Sequence, residues 1–117
     1  MQDLNKYGFY SGGYIADLLD RRALEAVNDN YPSTVHKQLY TSHCEIRFLK
    51  QLCTKKCTPV LRWVIPRCGV DRRREYVVNI ELFDANWVQV AGAEFTFKIA
   101  KRNYCEIGGK DGAIKTV

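Results

Sequence analysis

The sequence predicts an α+β domain in which one long helix packs on an antiparallel sheet. One stretch near the N-terminus has helical periodicity, and four later stretches are rich in β-branched and aromatic residues. The connections between them are mostly short, and no linker or internal repeat interrupts the chain. Its 117 residues suffice for one domain with one modest core, so we expect a single domain over residues 1–117.

The first element is a helix over residues 11–30. Ser11 is a favourable N-cap, because its hydroxyl can accept a hydrogen bond from the first turn. The segment N-D-N-Y-P then ends the helix, since Pro32 disfavours helical backbone at the residue before it. The apolar stripe at 3.6-residue spacing consists of Ile15, Leu18, Leu19, Ala23 and Ala26.

Four strands follow, predicted at residues 34–50, 58–67, 75–84 and 87–99. The first alternates at Cys44, Ile46 and Phe48, which therefore share one face. Prolines in the second strand stand near its two ends, where strands tolerate them. A tight turn at Ala85–Asn86 joins the last two strands. Residues 103–117 are glycine-rich and are predicted to form a loop-like tail. One face of the third strand carries Tyr76, Val78, Ile80 and Leu82.

Composition indicates a soluble globular protein with 46% hydrophobic and 26% charged residues. No apolar run approaches the roughly 20 residues of a membrane span, and the first residues lack the pattern of a signal peptide. We therefore expect a cytoplasmic or mitochondrial protein. The net charge of +5 is compatible with a polyanionic partner, and equally with an ordinary basic surface.

The five cysteines are an odd number, and without a secretory signal they are expected to be reduced thiols. Cys53 and Cys57 have a spacing that zinc sites use. A zinc site needs four ligands, usually as two close pairs, and the remaining candidates do not supply a second pair. No metal site is predicted. These remaining candidates are Cys68, Cys105, His36 and His43.

Two glycines, Gly12 and Gly13, occupy the first helical positions. Glycine there lets another group approach the backbone closely. The first N–H groups of a helix have no internal acceptor and carry partial positive charge, which suits a phosphate, a carboxylate or a carbonyl oxygen. The alternative is a simple tight turn into the helix.

Two acids, Asp17 and Asp20, lie on the same helix. Asp20 stands beside the apolar stripe, where a carboxylate is costly unless it is paired or functional. Asp17 lies one turn from Arg21 and is expected at the surface. Eight residues separate Gly12 from Asp20, which is about 12 Å of helix rise, so one chain cannot bring both to one substrate. Two chains with antiparallel helices would form two sites per dimer. Structural partners for Asp20 would be Arg21, Arg22 or Arg47.

The pattern N-x-x-G-x-x-S-G-G-x-x-A-x-L-x-D, residues 5–20, resembles the hotdog-fold acyl-CoA thioesterases. The resemblance is strongest to the phenylacetate-pathway-like and small human-type enzymes. The stretches T-S-H-C-E-I-R-F-L-K-Q-L and F-D-A-N-W-V-Q-V-A-G-A-E-F-T-F resemble their strands, so the resemblance extends over roughly residues 5–100. It implies a hotdog fold, in which a curved antiparallel sheet packs on a long central helix.

The resemblance also implies roles for individual residues. Gly12 would donate its N–H to the thioester carbonyl oxygen. Asp20 of the partner chain would act as general base on water or as nucleophile. Asn5 would help place the carbonyl or the water, and Thr41 would orient the water. The reaction would be hydrolysis of acyl-CoA to a free acid and CoA, a step of lipid metabolism.

Substrate binding is assigned by the same resemblance to Ser11 and Gly13 and to several arginines. The arginines would meet the phosphates of coenzyme A, or else form an ordinary solvated basic loop. Coenzyme A enters as part of the substrate, no other cofactor is expected, and the implied assembly is a homodimer or a tetramer built as a dimer of dimers. The arginines are Arg62, Arg67 and Arg72–Arg74.

The sequence departs from the family pattern at three points. Ser11 stands where the family usually has histidine, the strand that normally precedes this loop is missing, and Arg72–Arg74 replaces a short glycine-containing turn. These departures support an alternative: a catalytically inactive hotdog subunit that serves as a structural or binding module in a larger assembly, such as a ribonucleoprotein. Retention of Asn5, Gly12 and Asp20 together favours the enzyme.

Overall fold

The computed structural model describes residues 11–100 and contains one helix and one four-stranded antiparallel sheet. The predicted tail at 103–117, Asn5 and Cys105 lie outside these residues. Strands occur in the sheet order β1-β4-β3-β2. The helix packs on one face of the sheet, so the predicted α+β class is confirmed. The elements are α1 (Gly12–Asn30), a 3₁₀ turn (Pro32–His36), β1 (Leu39–Phe48), β2 (Cys57–Cys68), β3 (Arg74–Asp84) and β4 (Gln89–Ile99).

Helix α1 begins and ends where the sequence predicts. The Ser11 hydroxyl accepts a hydrogen bond of 3.2 Å from the Tyr14 N–H, as an N-cap does. The predicted stripe faces the sheet, with Leu18 only half-buried and Val27 added to the buried set. In the described part of the chain, no helix combines the length and apolar character needed to cross a membrane.

The core lies between α1 and the inner face of β3 and β4. Residues facing each other across these two antiparallel strands point to the same side of the sheet. The predicted apolar face of β3 is confirmed, since all four of its residues are buried. Phe95 and Phe97 of β4 are the largest fully buried side chains, and they pack with this face against α1.

The first predicted strand, 34–50, is too long at its N-terminal end, because residues 32–36 form the 3₁₀ turn. Pro32 starts this turn, since its fixed φ favours helical backbone. The buried Thr34 hydroxyl lies 2.8 Å from the Tyr31 carbonyl oxygen and 2.7 Å from Asn28 Oδ1. These contacts bind the segment to the end of α1, so it is not extended.

The last predicted strand, 87–99, also starts too early, because the turn after β3 extends to residue 88. Asp84 Oδ1 accepts hydrogen bonds from the N–H groups of Asn86 (2.9 Å) and Val88 (3.0 Å). Trp87 adopts a left-handed φ of 60°. The carboxylate therefore shapes a longer turn than the two residues predicted, and β4 begins at Gln89.

An irregularity in β1 decides which of its side chains face the helix. Thr41 pairs with Phe97 and His43 pairs with Thr96, so Ser42 is an extra residue on β1. This β-bulge turns Thr41 toward the helix side and His43 toward the opposite, outer face. The strand is also an edge of the described sheet.

Candidate active site

The N-terminus of α1 presents unused backbone donors. Gly12 and Gly13 occupy the first two helical positions, and neither N–H has a hydrogen-bond acceptor among the described residues. The N–H groups of Tyr14 and Ile15 are instead bonded to the Ser11 hydroxyl and carbonyl oxygens. Two donors with partial positive charge are therefore available to an anionic or carbonyl oxygen.

A cavity of about 450 Å³ opens beside these donors. Its walls are the start of α1, at Gly12 and Ile15, and the end of β1 with the loop that follows, residues 48–52. A Cβ atom placed on Gly12 would lie 3.3 Å from Cζ of the Phe48 ring. The glycine thus allows an aromatic side chain to approach the helix start, and Phe48 and Leu49 contribute exposed apolar surface there.

Asp20, two turns along α1, is held by Thr41. The Thr41 hydroxyl donates a hydrogen bond of 3.0 Å to Asp20 Oδ1. No ion pair to Asp20 is present in the described range, so the arginine partners considered from the sequence do not hold it. Asp17, in contrast, pairs with Arg21 at 3.1 Å, and both side chains are mostly exposed, as predicted.

Cys44 is a further group near Asp20 that the sequence did not single out. Partial burial, and secondarily the negative charge of Asp20, raise the pKa of the Cys44 thiol. The thiol is therefore the protonated neighbour of a carboxylate. The alternation at Cys44, Ile46 and Phe48 is the sequence signal that could have identified Cys44, because it places Cys44 and Phe48 on the face of β1 that meets α1.

The two groups of candidate residues stand apart in one chain. Gly12 meets Phe48 at the C-terminal end of β1, whereas Asp20 meets Thr41 near its N-terminal end. Eight helical residues correspond to a rise of about 12 Å, far beyond the reach of a hydrogen bond. A single chain therefore does not direct Gly12 and Asp20 at the same carbonyl group.

The arginines predicted to meet coenzyme A do not line the cavity at the helix start. Arg72 lies in the β2–β3 loop with a left-handed φ of 67°. Of the other four, Arg74 is the first residue of β3, and three are engaged with acidic residues. Arg73 also donates to the Ile99 carbonyl oxygen at 2.8 Å. These ion pairs are Arg62–Glu81 (3.8 Å), Arg67–Glu75 (2.5 Å) and Arg73–Asp71 (3.2 Å).

Cys53 and Cys57 do not belong to any group of three closely spaced metal-ligating side chains in residues 11–100. Burial raises the pKa of the Cys57 thiol, which favours its protonated form. This pair therefore has no neighbouring ligand among the described residues that would complete a zinc site.

Comparison with known proteins identifies similar folds at low sequence identity. The chain superimposes on BH2602 of Bacillus halodurans, solved with CoA, with a TM-score of 0.67 and 20% identity over 84% of this chain. For a hypothetical thioesterase of Streptococcus pneumoniae, solved with coenzyme A, the TM-score is 0.62 and the identity is 21% over 84% of this chain. For the PaaI protein of the Escherichia coli phenylacetic acid degradation operon, the TM-score is 0.63 and the identity is 21% over 86% of this chain. Structures of two single variants of the Streptococcus pneumoniae protein have also been solved, one with an aspartate replaced by alanine and one with a threonine replaced by alanine.

These likenesses show the fold. The chain covers 64% of the Bacillus halodurans protein, 72% of the Streptococcus pneumoniae protein and 66% of the Escherichia coli protein. No family model and no curated protein matches the sequence. One long helix on a curved antiparallel sheet is the hotdog fold of these structures, so the predicted fold and the resemblance to hotdog thioesterases are confirmed at that level.

Proposed function

From the hotdog fold that it shares with CoA-bound structures, we propose that this chain hydrolyses acyl-CoA thioesters to a free acid and CoA. The observation that carries the proposal is the state of two positions on α1, its N-terminus and Asp20 two turns along. At the N-terminus, the N–H groups of Gly12 and Gly13 have no acceptor within residues 11–100 and lie beside a cavity, and further along Thr41 holds the Asp20 carboxylate.

The helix N-terminus supplies electrostatic stabilisation in this proposal. Attack on a thioester carbonyl moves negative charge onto its oxygen, and N–H groups aimed at that oxygen stabilise the charge in the transition state. Gly12 is the donor, and Gly13 stands next to it. Ser11 contributes by capping the helix, because its hydroxyl is already bonded to the Tyr14 N–H.

Asp20 supplies the chemistry on the other side of the carbonyl. As general base it takes a proton from water, the water oxygen bonds to the carbonyl carbon, the carbon–sulfur bond breaks, and the CoA thiolate recovers the proton. As nucleophile its carboxylate oxygen would bond to that carbon and release the thiolate, and water would then hydrolyse the resulting anhydride. Thr41 orients the carboxylate in both routes. Asn5 retains its proposed role in placing the carbonyl or the water.

The proposed site is shared between two chains related by a two-fold axis. The separation of Gly12 from Asp20 requires it, and the exposed surface of β1 supports it. Although Cys44 and Phe48 are on the face that meets α1, Cys44 is exposed and Phe48 is 52% exposed. A second copy would cover this apolar surface and bring its own α1 beside the first. A dimer of dimers is the corresponding tetramer.

The binding of the CoA phosphates is proposed to involve the arginines at the outer edge of the sheet and in the β2–β3 loop, Arg62, Arg67, Arg72 and Arg73. In the described chain three of these side chains pair with acids, so phosphate binding would exchange those partners. The same exchange would be needed in the alternative of a silent subunit in a ribonucleoprotein, because Arg73 is engaged with Asp71 and with the Ile99 carbonyl oxygen.

Hydrolysis of acyl-CoAs of graded chain length, followed by release of free thiol, tests the proposal. The matched variant is Asp20→Asn, which can still accept the Thr41 hydrogen bond but removes the carboxylate. We expect turnover of at least one acyl-CoA by the wild-type chain and a loss of about 10²–10⁴ in the variant. Equal thiol release from both proteins on every acyl chain would remove the basis for a catalytic Asp20.

A further inference from the structure

The outer face of the sheet, opposite the candidate active site, carries a cluster of three metal-ligating side chains: His43, Glu45 and Glu94. One ligand atom from each lies within 4.8 Å of the other two. His43 and Glu45 are neighbours on the outer face of β1, and Glu45 stands directly across from Glu94 on β4. The cluster therefore joins the edge strand to the middle of the sheet.

The position of Glu45 opposite Glu94 is unfavourable without a cation. Like charges directly across an antiparallel pair destabilise the sheet. Neither carboxylate forms an ion pair or a hydrogen bond within the described residues. The other carboxylates on this face do have partners, since Glu81 pairs with Arg62 and Glu75 with Arg67. This pair thus differs from its neighbours in forming no ion pair within residues 11–100, although the Arg47 side chain lines the same cavity.

Space for an ion and its waters lies beside the carboxylates. A polar cavity of about 200 Å³ lies on the outer face, and its lining includes Glu45, Glu94, Asn79, Glu81, Arg47 and Gly92. The missing side chain of Gly92 keeps this cavity open, because its nearest neighbours are the ends of the Gln89 and Arg47 side chains. An ion held by the cluster would keep coordination positions for water toward the cavity.

We propose that His43, Glu45 and Glu94 form a binding site for a divalent transition-metal ion, with Zn²⁺ as its occupant. An imidazole nitrogen together with two carboxylates is a ligand set that suits Zn²⁺ better than Mg²⁺ or Ca²⁺, which prefer oxygen ligands alone. The ion's charge compensates the facing glutamates. This proposal does not depend on thioesterase activity.

The β-bulge at Ser42 connects the proposed metal site to the candidate active site. It turns His43 outward to the two carboxylates and, one position before the extra residue, turns Thr41 inward to Asp20. A metal ion ligated by both β1 and β4 would cross-link the edge strand beside this bulge. Zinc is therefore expected to stabilise the part of β1 that holds Asp20.

The test is titration of Zn²⁺ into the full chain under reducing conditions, by calorimetry, with thermal unfolding as a second measurement. We expect one zinc ion per chain on this site and an affinity reduced by about tenfold or more in His43→Ala and in Glu94→Gln, since loss of even an outer-shell partner costs about 10–100-fold. His36→Ala is the matched control, because His36 is the other exposed histidine. The cysteines are identical in all these proteins, so zinc bound by thiols is a common background.

Glu94→Gln separates the site from simple loss of folding. Removal of one of two facing charges should raise the unfolding temperature without zinc, while the increase caused by a given zinc concentration should become smaller. With Co²⁺, the site should give a His43-dependent spectrum without the thiolate charge-transfer band of cysteine ligands. Equal zinc affinities of wild type and His43→Ala, or equal losses in His43→Ala and His36→Ala, would overturn the proposal.

Discussion

A site shared between chains predicts that two inactive variants restore each other. The first variant is Asp20→Asn. The second is Gly12→Pro, which removes the Gly12 N–H but retains a residue that fits the first helical position. Ser11 already has extended backbone, with φ of −70° and ψ of 158°, as the residue before a proline requires. Gly12→Ala is the matched control, because it adds the same Cβ near Phe48 and keeps the N–H.

The expected magnitudes follow from the geometry. Loss of one oxyanion donor costs about 10²–10³ in turnover, so Gly12→Pro should fall that far below Gly12→Ala. In a mixed dimer, one site combines both substitutions and the other combines wild-type Gly12 with wild-type Asp20. Random assembly of equal amounts makes about half of the dimers mixed, so about a quarter of the wild-type sites should return.

Co-expression with two different affinity tags provides the assay. Mixed dimers purified through both tags should have about half the thioesterase activity of the wild-type dimer, since one of two sites is intact. Each variant purified alone provides the baseline. If the mixed dimers stay at that baseline while sizing shows that they are dimers, the site is not divided between chains and the distance argument is wrong.

Two more predictions concern single side chains. Thr41→Val should lower kcat/KM by about tenfold, because a hydrogen bond to a charged group contributes at least about 1.5 kcal/mol. Thr41→Ser keeps the hydroxyl and should stay near the wild-type kcat/KM. Equal kcat/KM values for the two variants would exclude a role for the hydroxyl. The hydrogen bond from Lys50 (2.6 Å), followed by that from the Val88 N–H, lowers the pKa of Asp84. Because that pKa is lowered in the folded state, Asp84 stabilises the fold above the unfolded-state pKa of about 3.9, and this stability is lost as pH falls through the folded value. The difference in urea unfolding between wild type and Asp84→Asn should therefore be constant from pH 7 down to about pH 5. It should begin to shrink near pH 4 and vanish only below the lowered folded-state pKa. A gap that stays constant throughout this range would contradict the linkage.

The architecture was predictable because hydrophobic periodicity determines which faces must be buried. The stripe on α1 and the alternation on β3 both became core, since the two faces exclude water only by packing on each other. The strand boundaries at residues 34 and 87 were not predictable from the same signals. Thr34 and Asp84 use their side chains to hold local turns, and this competes with extended backbone.

The candidate site also has features that the sequence predicts and features that it does not. Gly12 at the helix start and Asp17 at the surface follow from the sequence, because helix ends and helix faces are local properties. The partners of Asp20 are not local. Strict alternation from Cys44 would place Thr41 on the outer face of the sheet, and it is the extra residue Ser42 that turns Thr41 toward Asp20.

By itself the sequence determined one amphipathic helix with a glycine N-terminus, the strands that cover it, and a spacing between Gly12 and Asp20 that no single helix can shorten. Those features depend on residue order along one element. Only the tertiary structure decided which groups meet across elements: Phe48 at Gly12, Thr41 at Asp20, and Glu45 opposite Glu94. Strand register sets these meetings, and a shift of one residue exchanges the two faces of a strand.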